Sequence, residues 1–298
     1  MKDMNKKPTF DPDKIFDVLV NLLCLGIALV VLYPLVFVLS ASFSDPEMVL
    51  RGEMVLYPRG LTLDSYRLVF DNQKIWNGYA NTIVYTVAGT SLNLLLTLLA
   101  AYPLSRKDLP GRHFFMLLIL VTMYFNGGLI PTYLLVRNLG MYNTLWAIII
   151  PSAISTYNLI IARSYLENNI PHELYESATI DGCSNVRMLV HIVLPLSQAI
   201  IAVLVLYYGV MHWNSFFSAL IYLRDEKLYP LQIVLRDILL LGQTEELGTN
   251  DVGMGEKIKM AEGIKYSVII ISSVPVLLAY PFVQKYFVKG VMVGAVKG

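Results

Sequence analysis

Between two apolar stretches of the chain runs NNIPHELYESATIDGCSNVRMLVHIVLPLS, residues 168–197. It gathers Glu173, Glu176 and Asp181 beside His172 and closes on Gly182. Three chemistries use such residues. His172 and Glu176 stand at i and i+4, a spacing that puts two metal ligands on one helix face. A zinc peptidase helix needs H-E-x-x-H, however, and here the second histidine is missing. Paired acids could serve hydrolysis, but they need a cleft, and a short connection offers none. The third use is docking. Leu174, Tyr175, Ala178 and Ile180 interleave with the acids, giving apolar knobs inside an acidic rim, the make-up of a protein interface. A merely solvated loop accounts for any one acid but not for that interleaving.

The elements that would carry these residues can be read locally. Asn168 or Asn169 can cap a helix, Pro171 suits its first turn, and Glu173 then lies near the positive end of the helix dipole. Gly182 fits the residue that ends a helix in the left-handed conformation. Ser184 can cap a following helix that runs through Leu194 and Pro195 into the next apolar run. The expected product is an elbow over about 168–195: short helix, glycine bend, longer helix.

The chain around the elbow is 298 residues long, 56% apolar and only 15% charged, with a mean hydropathy of +0.57. Soluble domains carry about a quarter charged residues. The deficit falls in runs of about twenty residues or more, the length a helix needs to cross roughly 30 Å of hydrocarbon. Apolar runs near 18–43, 80–104, 114–135, 144–163, 196–222 and 266–286 predict six membrane-spanning helices, so the fold class is all-α and polytopic. The runs do not alternate apolar and polar as barrel strands would. Prolines 34, 103, 131, 151, 195, 275 and 281 fall in or beside them, and bundle neighbours can re-satisfy the carbonyls they free. The first run is too long for a cleavable signal sequence and reads as a retained span.

Short flanks rich in Lys and Arg mark the cytoplasmic side. Lys2, Lys6, Lys7 and Lys14, then Arg106, Lys107 and Arg112, then Lys285, Lys289 and Lys297 share one side of a six-span chain. Segment 1–17 and the tail 291–298 are then cytoplasmic, the permeating domain is 18–290, the elbow is cytoplasmic, and loops 44–79 and 223–265 lie outside.

The expected spans hold no Asp, Glu, Lys or Arg in their middles. Their one group that titrates near neutrality is His212. Ion-coupled carriers and intramembrane aspartyl proteases bury such residues, and no G-x-S-x-G partners His212 for serine chemistry. No G-x-x-x-x-G-K-[ST] cradle occurs either. GTNDVGMGEK (248–257) has Met254 where the lysine belongs. No cofactor, metal or nucleotide is therefore expected on this chain, and a net charge of +1 gives no reason to invoke nucleic acid. Cys24 and Cys183 are not placed for a structural disulfide.

E-x-A-x-x-D-G at 176–182, nine residues, then I-x-L-P at 192–195 resembles the EAA loop of permease subunits of bacterial ABC importers. Ser177 stands where that family has its first alanine. LYPLVFVLSASF (32–43), NGGLIPTYLLVRNLGMYNT (126–144) and the ending FVKGVMVGAVKG resemble the carbohydrate-uptake, maltose-type branch, and within it the polysaccharide- or lipoprotein-associated subgroup. The resemblance implies a six-helix permease fold whose elbow is the coupling helix, seated in a groove of a cytoplasmic ATPase. Glu173, Glu176, Ala178, Asp181, Gly182, Leu194 and Pro195 would carry contact and bend. It further implies a second homologous permease, an ATPase dimer holding ATP and Mg, an extracytoplasmic solute-binding protein, and the bacterial cell membrane with both termini inside.

Tyr124, Asn126, Asn158, Trp213 and Asn214 are the polar and aromatic groups that could line a path for an uncharged polyol such as a sugar. Membrane Tyr and Trp more often mark interfaces, and Asn more often bonds a neighbouring helix. The rival readings are a carrier or channel working without an ATPase, a membrane enzyme using His212 or the acids, and an ABC importer for a non-sugar solute.

Overall fold

The computed structural model describes residues 12–245, 262–278, 280, 281 and 284. Segment 1–11, residues 246–261 of the expected outer loop with the GTNDVGMGEK stretch among them, and the C-terminal tail lie outside the described residues. Those described are all-helical, with no strand among them.

One unit comprises residues up to Val69 together with Ile238–Ile271. Its main helix, α1 (Pro12–Ser42), is long and apolar enough to cross a membrane over Phe16–Ser42. Side chains from Phe16 to Val36 are exposed, an apolar surface suited to lipid or to another protein. Burial begins where α1 ends. Ser40 Oγ donates to the Leu56 carbonyl at 2.7 Å, and Tyr66 Oη donates to Ser42 Oγ at 2.8 Å.

The second unit, Phe70–Asp237 with the residues from Ser272 on, carries the elbow. Its axis is α2 (Gln73–Ser105), 33 residues long and therefore about 50 Å at 1.5 Å per residue. Gly78, Thr82, Tyr85, Gly89, Asn93, Thr97 and Ala101 are buried along it, a step of three or four that keeps small and polar residues on one face. Such a face lets helices approach closely in a membrane. The facing helix α7 (Gln198–Trp213) answers with Ile200, Leu204, Tyr208 and His212, one every four residues. His212 Nε2 donates to Asn93 Oδ1 at 2.6 Å, and the Thr97 and Tyr208 hydroxyls share a 2.7 Å bond. Gly89 is required by space: a Cβ there would overlap the His212 imidazole.

Between these helices come α3 (Arg112–Tyr124), α4 (Leu129–Asn138), α5 (Thr156–Asn169) and α6 (His172–Ile180). Helices α3 and α4 meet at 109° across Phe125–Gly128, so the apolar run 114–135 is bent rather than straight. Gly128, at φ +83°, makes that corner. The run 144–163 is also divided. Trp146–Ile149 forms one turn, and the chain then passes Pro151 to re-enter helix at Thr156, capped by Ser155. Pro151 has no N–H with which to continue the helix, although Ile150 before it keeps helical angles. Among the described residues two helices are long and apolar enough to span, or up to four if each bent pair is one span.

Candidate functional site

The elbow forms as its residue types require, with one correction. Helix α6 begins at His172 with Pro171 at its N-cap and no side-chain cap. Asn168 and Asn169 instead close the end of α5, their Nδ2 groups donating to the Ser164 and Tyr165 carbonyls at 2.9 and 3.0 Å. Glu173 lies in the first turn of α6. At the other end Gly182 has φ +71°. Its N–H donates to the Thr179 carbonyl at 3.0 Å, and the Cys183 N–H donates to the Ala178 carbonyl at 2.9 Å. This is the Schellman pattern, which only a left-handed residue closes. Ser184 then caps the following turn by accepting from the Arg187 N–H.

Residues Leu189–Val193 are wound as a π-helix, and Pro195 follows within Leu194–Leu196. Proline has no N–H to give the preceding turn, and at this point the chain bends by 84° into α7. Leu194 and Pro195 thus sit at the corner where the elbow turns into the apolar helix.

The elbow presents Glu173, Glu176, Asp181 and Gly182 to the outside. Ile180 is 85% exposed, Val186 73%, while Ala178 is buried. Large aliphatic side chains set among acids at the surface are an interface composition. His172 Nδ1 lies 3.2 Å from Glu176 Oε1. No third ligand joins them, and no group of three or more His, Cys, Asp or Glu suited to a metal occurs among the described residues.

Beneath the exposed face lie Tyr175, expected among the surface knobs but turned inward, and arginines whose packing sequence reasoning missed. Tyr175 is half-buried, its ring 6.4 Å from that of Tyr102 on α2. The Arg106 guanidinium lies 4.9 Å from the Tyr175 ring centroid. Arg106 also grips Asp108 with both arms of its fork, Nε to Oδ1 at 2.7 Å and Nη2 to Oδ2 at 2.6 Å. The Arg106 hydrogen bonds hold the Asp108 carboxyl below its ordinary value, and the same bonds raise Arg106. Burial pushes the Tyr175 hydroxyl up. A second arginine, Arg163 on α5, donates to the Leu104 carbonyl at 3.1 Å and to Glu167 at 2.6 Å, and Arg112 pairs with Glu167 at 3.1 Å. A cavity of about 620 Å³ opens beside these groups, walled by Arg106, Glu167, His172, Tyr175 and Ile180. The sequence signal for this layer was the short 106–112 turn, basic at both ends.

The five residues expected on a solute path lie at separate stations. Tyr124, 77% exposed, ends α3, and Asn126 accepts from the Gly128 N–H at the α3–α4 corner. Asn158 is buried in the first turn of α5. Trp213 is buried, its Nε1 donating to the Ser272 carbonyl at 3.3 Å. Asn214, next to it, donates to the Val210 carbonyl and accepts from Gln232. Helices α3 and α5 run antiparallel, with the Thr122 and Thr156 hydroxyls 3.3 Å apart at one end and Arg112 paired with Glu167 at the other. Asn214 lines a cavity of about 240 Å³ with Ser152, His212 and Phe217.

The family described as "Binding-protein-dependent transport system inner membrane component" matches residues 93–293. The chain is 40% identical to the polygalacturonan/rhamnogalacturonan transport system permease protein YtcP of Bacillus subtilis, over 96% of this chain and 99% of that one. It is 29% identical to the arabinooligosaccharides transport system permease protein AraQ of Halalkalibacterium halodurans, over 91% and 93%. Its fold is similar to a chain from the crystal structure of a bacterial ABC transporter involved in the import of the acidic polysaccharide alginate. The TM-score is 0.84 at 34% identity, covering 94% of this chain and all of that one. The chain belongs to the binding-protein-dependent transport system inner membrane component family.

Proposed function

From that membership we propose that this chain is one of two homologous permease subunits of an ATP-driven importer for an oligo- or polysaccharide. A separate cytoplasmic ATPase dimer seats on the 168–195 elbow, and an extracytoplasmic binding protein delivers the solute. The observation that carries this reading is the elbow. An outward face of acids and bare aliphatic side chains, Glu173, Glu176, Ile180 and Asp181, stands on a helix closed by the Gly182 bend and tied through Pro195 to an apolar span. A loop with no partner has no use for a rigid scaffold beneath exposed Ile180. The cargo class rests on the roles of the relatives, which are named for the transport of poly- and oligosaccharides.

In this reading both termini and the elbow are cytoplasmic, six spans cross the membrane, and Tyr124, Asn126, Asn158, Trp213 and Asn214 face the path of the solute. ATP closes the ATPases, the elbows of the paired permeases are drawn together, and the bundles turn outward to receive cargo. Hydrolysis resets them.

The test is purification of the tagged chain from its native membrane in mild detergent, with identification of the proteins that travel with it. The expected companions are a second permease and an ATPase. A lone chain that moves solute in liposomes without ATP would overturn the proposal in favour of a carrier.

A further inference from the structure

The proposed coupling needs a joint that passes elbow motion to the membrane helices, and the residues on the elbow's exposed face make no such joint. The contacts beneath it converge on Arg106, which follows the last residue of α2. Its side chain is only 15% exposed, and its guanidinium touches four places at once. One fork grips Asp108 in the turn after α2. Nη1 reaches Tyr102 Oη on α2 at 3.4 Å and Met188 Sδ, beyond the Gly182 bend, at 3.3 Å. The guanidinium carbon also sits over the Tyr175 ring of α6, 4.9 Å from its centroid. Both limbs of the elbow are therefore held to α2 through one side chain.

That demand explains the residue type. A planar group with five donors can bind a carboxylate along one edge while stacking on an aromatic ring, and a lysine ammonium cannot do both. Tyr175 enters the joint through its ring, since its buried hydroxyl makes no hydrogen bond of normal geometry.

Helix α2 is built to carry the motion onward. The Asn93–His212 and Thr97–Tyr208 bonds lock it to α7 along its length. At the end remote from the elbow it is strapped to residues 226–231. Asn81 Nδ2 donates to the Lys227 carbonyl at 2.7 Å, Tyr85 Oη to the Leu228 carbonyl at 2.7 Å, and Thr82 Oγ1 accepts from the Leu231 N–H at 2.8 Å.

We propose that Arg106 is the positioning residue of power coupling: its stack on Tyr175 and its fork on Asp108 transmit movement of the elbow into α2 and thence to the strap at 226–231. The inference rests on the ATPase-driven reading above.

The experiment uses the complex purified with its partner permease and ATPase. Cys24 and Cys183 are replaced by serine, and an environment-sensitive dye is attached through Ser218→Cys in the cavity beside His212. Two quantities are read: ATP hydrolysis, and the ATP-plus-vanadate-dependent change at the dye. Arg106→Lys keeps the charge and loses fork and stack. It is expected to keep ATPase bound and hydrolysing while the dye response falls roughly tenfold, the scale of one cation–π contact with a charge-assisted fork. Tyr175→Leu should reproduce that loss, and Tyr175→Phe, which keeps the ring, should retain the unmutated response. A full response in Arg106→Lys overturns the proposal. So does loss of the ATPase from that variant, because Arg106 would then be seating the ATPase rather than transmitting motion. A Tyr175→Phe variant as defective as Tyr175→Leu overturns it too. If the chain without either change carries no ATPase, the importer reading has failed and not this joint.

Discussion

Replacing Gly182 by valine isolates the bend from every other property of the elbow. Gly182 sits at φ +71°, and no heavy atom lies within 4 Å of where a Cβ would stand. A side chain therefore meets no steric wall, and the whole cost is backbone strain. A residue with a Cβ pays roughly 1–3 kcal/mol in that region, with β-branched residues at the upper end and asparagine at the lower. At about 1.4 kcal/mol per factor of ten, a 2 kcal/mol penalty lowers the population of the bent elbow roughly thirtyfold. The two bonds that close the bend, to the Thr179 and Ala178 carbonyls, go with it. The order of harm should be Val, then Ala, then Asn, measured as ATP-driven uptake into membrane vesicles. Chain level in the membrane, read by immunoblot, should stay constant. Equal uptake across the three variants would refute the reasoning, because the bend would then not depend on a left-handed residue. Loss of the valine variant from the membrane would assign Gly182 to folding instead.

Three further outcomes rest on the same geometry. Gly89→Ala, at a position with ordinary backbone but no room, should drive the α2–α7 pair apart at a cost of about 1–3 kcal/mol; the melting temperature in detergent should drop, and the additional change His212→Ala should recover part of it. Leu166→Ala in the buried cluster beneath the elbow, where Leu166 is 1% exposed, should cost about 2–5 kcal/mol by the same assay. The Asp108 carboxyl is held low by Arg106 in the folded chain, so its stabilisation is present above the ordinary value of 3.8 and is lost as pH falls below it. Asp108→Asn should melt below the unmutated chain near neutral pH, and the gap should narrow as pH falls below 3.8. The gap should be small, because Asp108 is mostly solvent-exposed and its charge screened.

The parts of this architecture readable from sequence are those fixed by one residue's own stereochemistry. Gly182 ends a helix because it alone tolerates the left-handed turn, and Pro195 marks a corner because it withholds a donor. The apolar runs announced helices, but hydropathy smoothed over their breaks at Phe125–Gly128 and Ile150–Ser155. Gly127, Gly128 and Pro151 were the visible punctuation there. Asn168 and Asn169 went to the wrong helix, since an amide that can cap the next helix can equally bond the turn behind it. The Arg106–Tyr175 joint was hidden for a different reason: its partners are separated by 69 to 82 positions, and only packing brings them together. The same holds for the Asn93 partner of His212, 119 residues away.

The measurement that bears most directly on the elbow's role is recovery of the ATPase with Glu176→Lys. Glu176 is 65% exposed, so the change reverses a charge on the proposed seat without disturbing the core. Tagged chains with and without the change would be purified in parallel from the native membrane and their companions quantified by mass spectrometry. The second permease should be recovered equally with both, and the ATPase should be lost from the variant. An ATPase bound equally to both, or absent from both, would contradict the elbow's assignment as the seat of power.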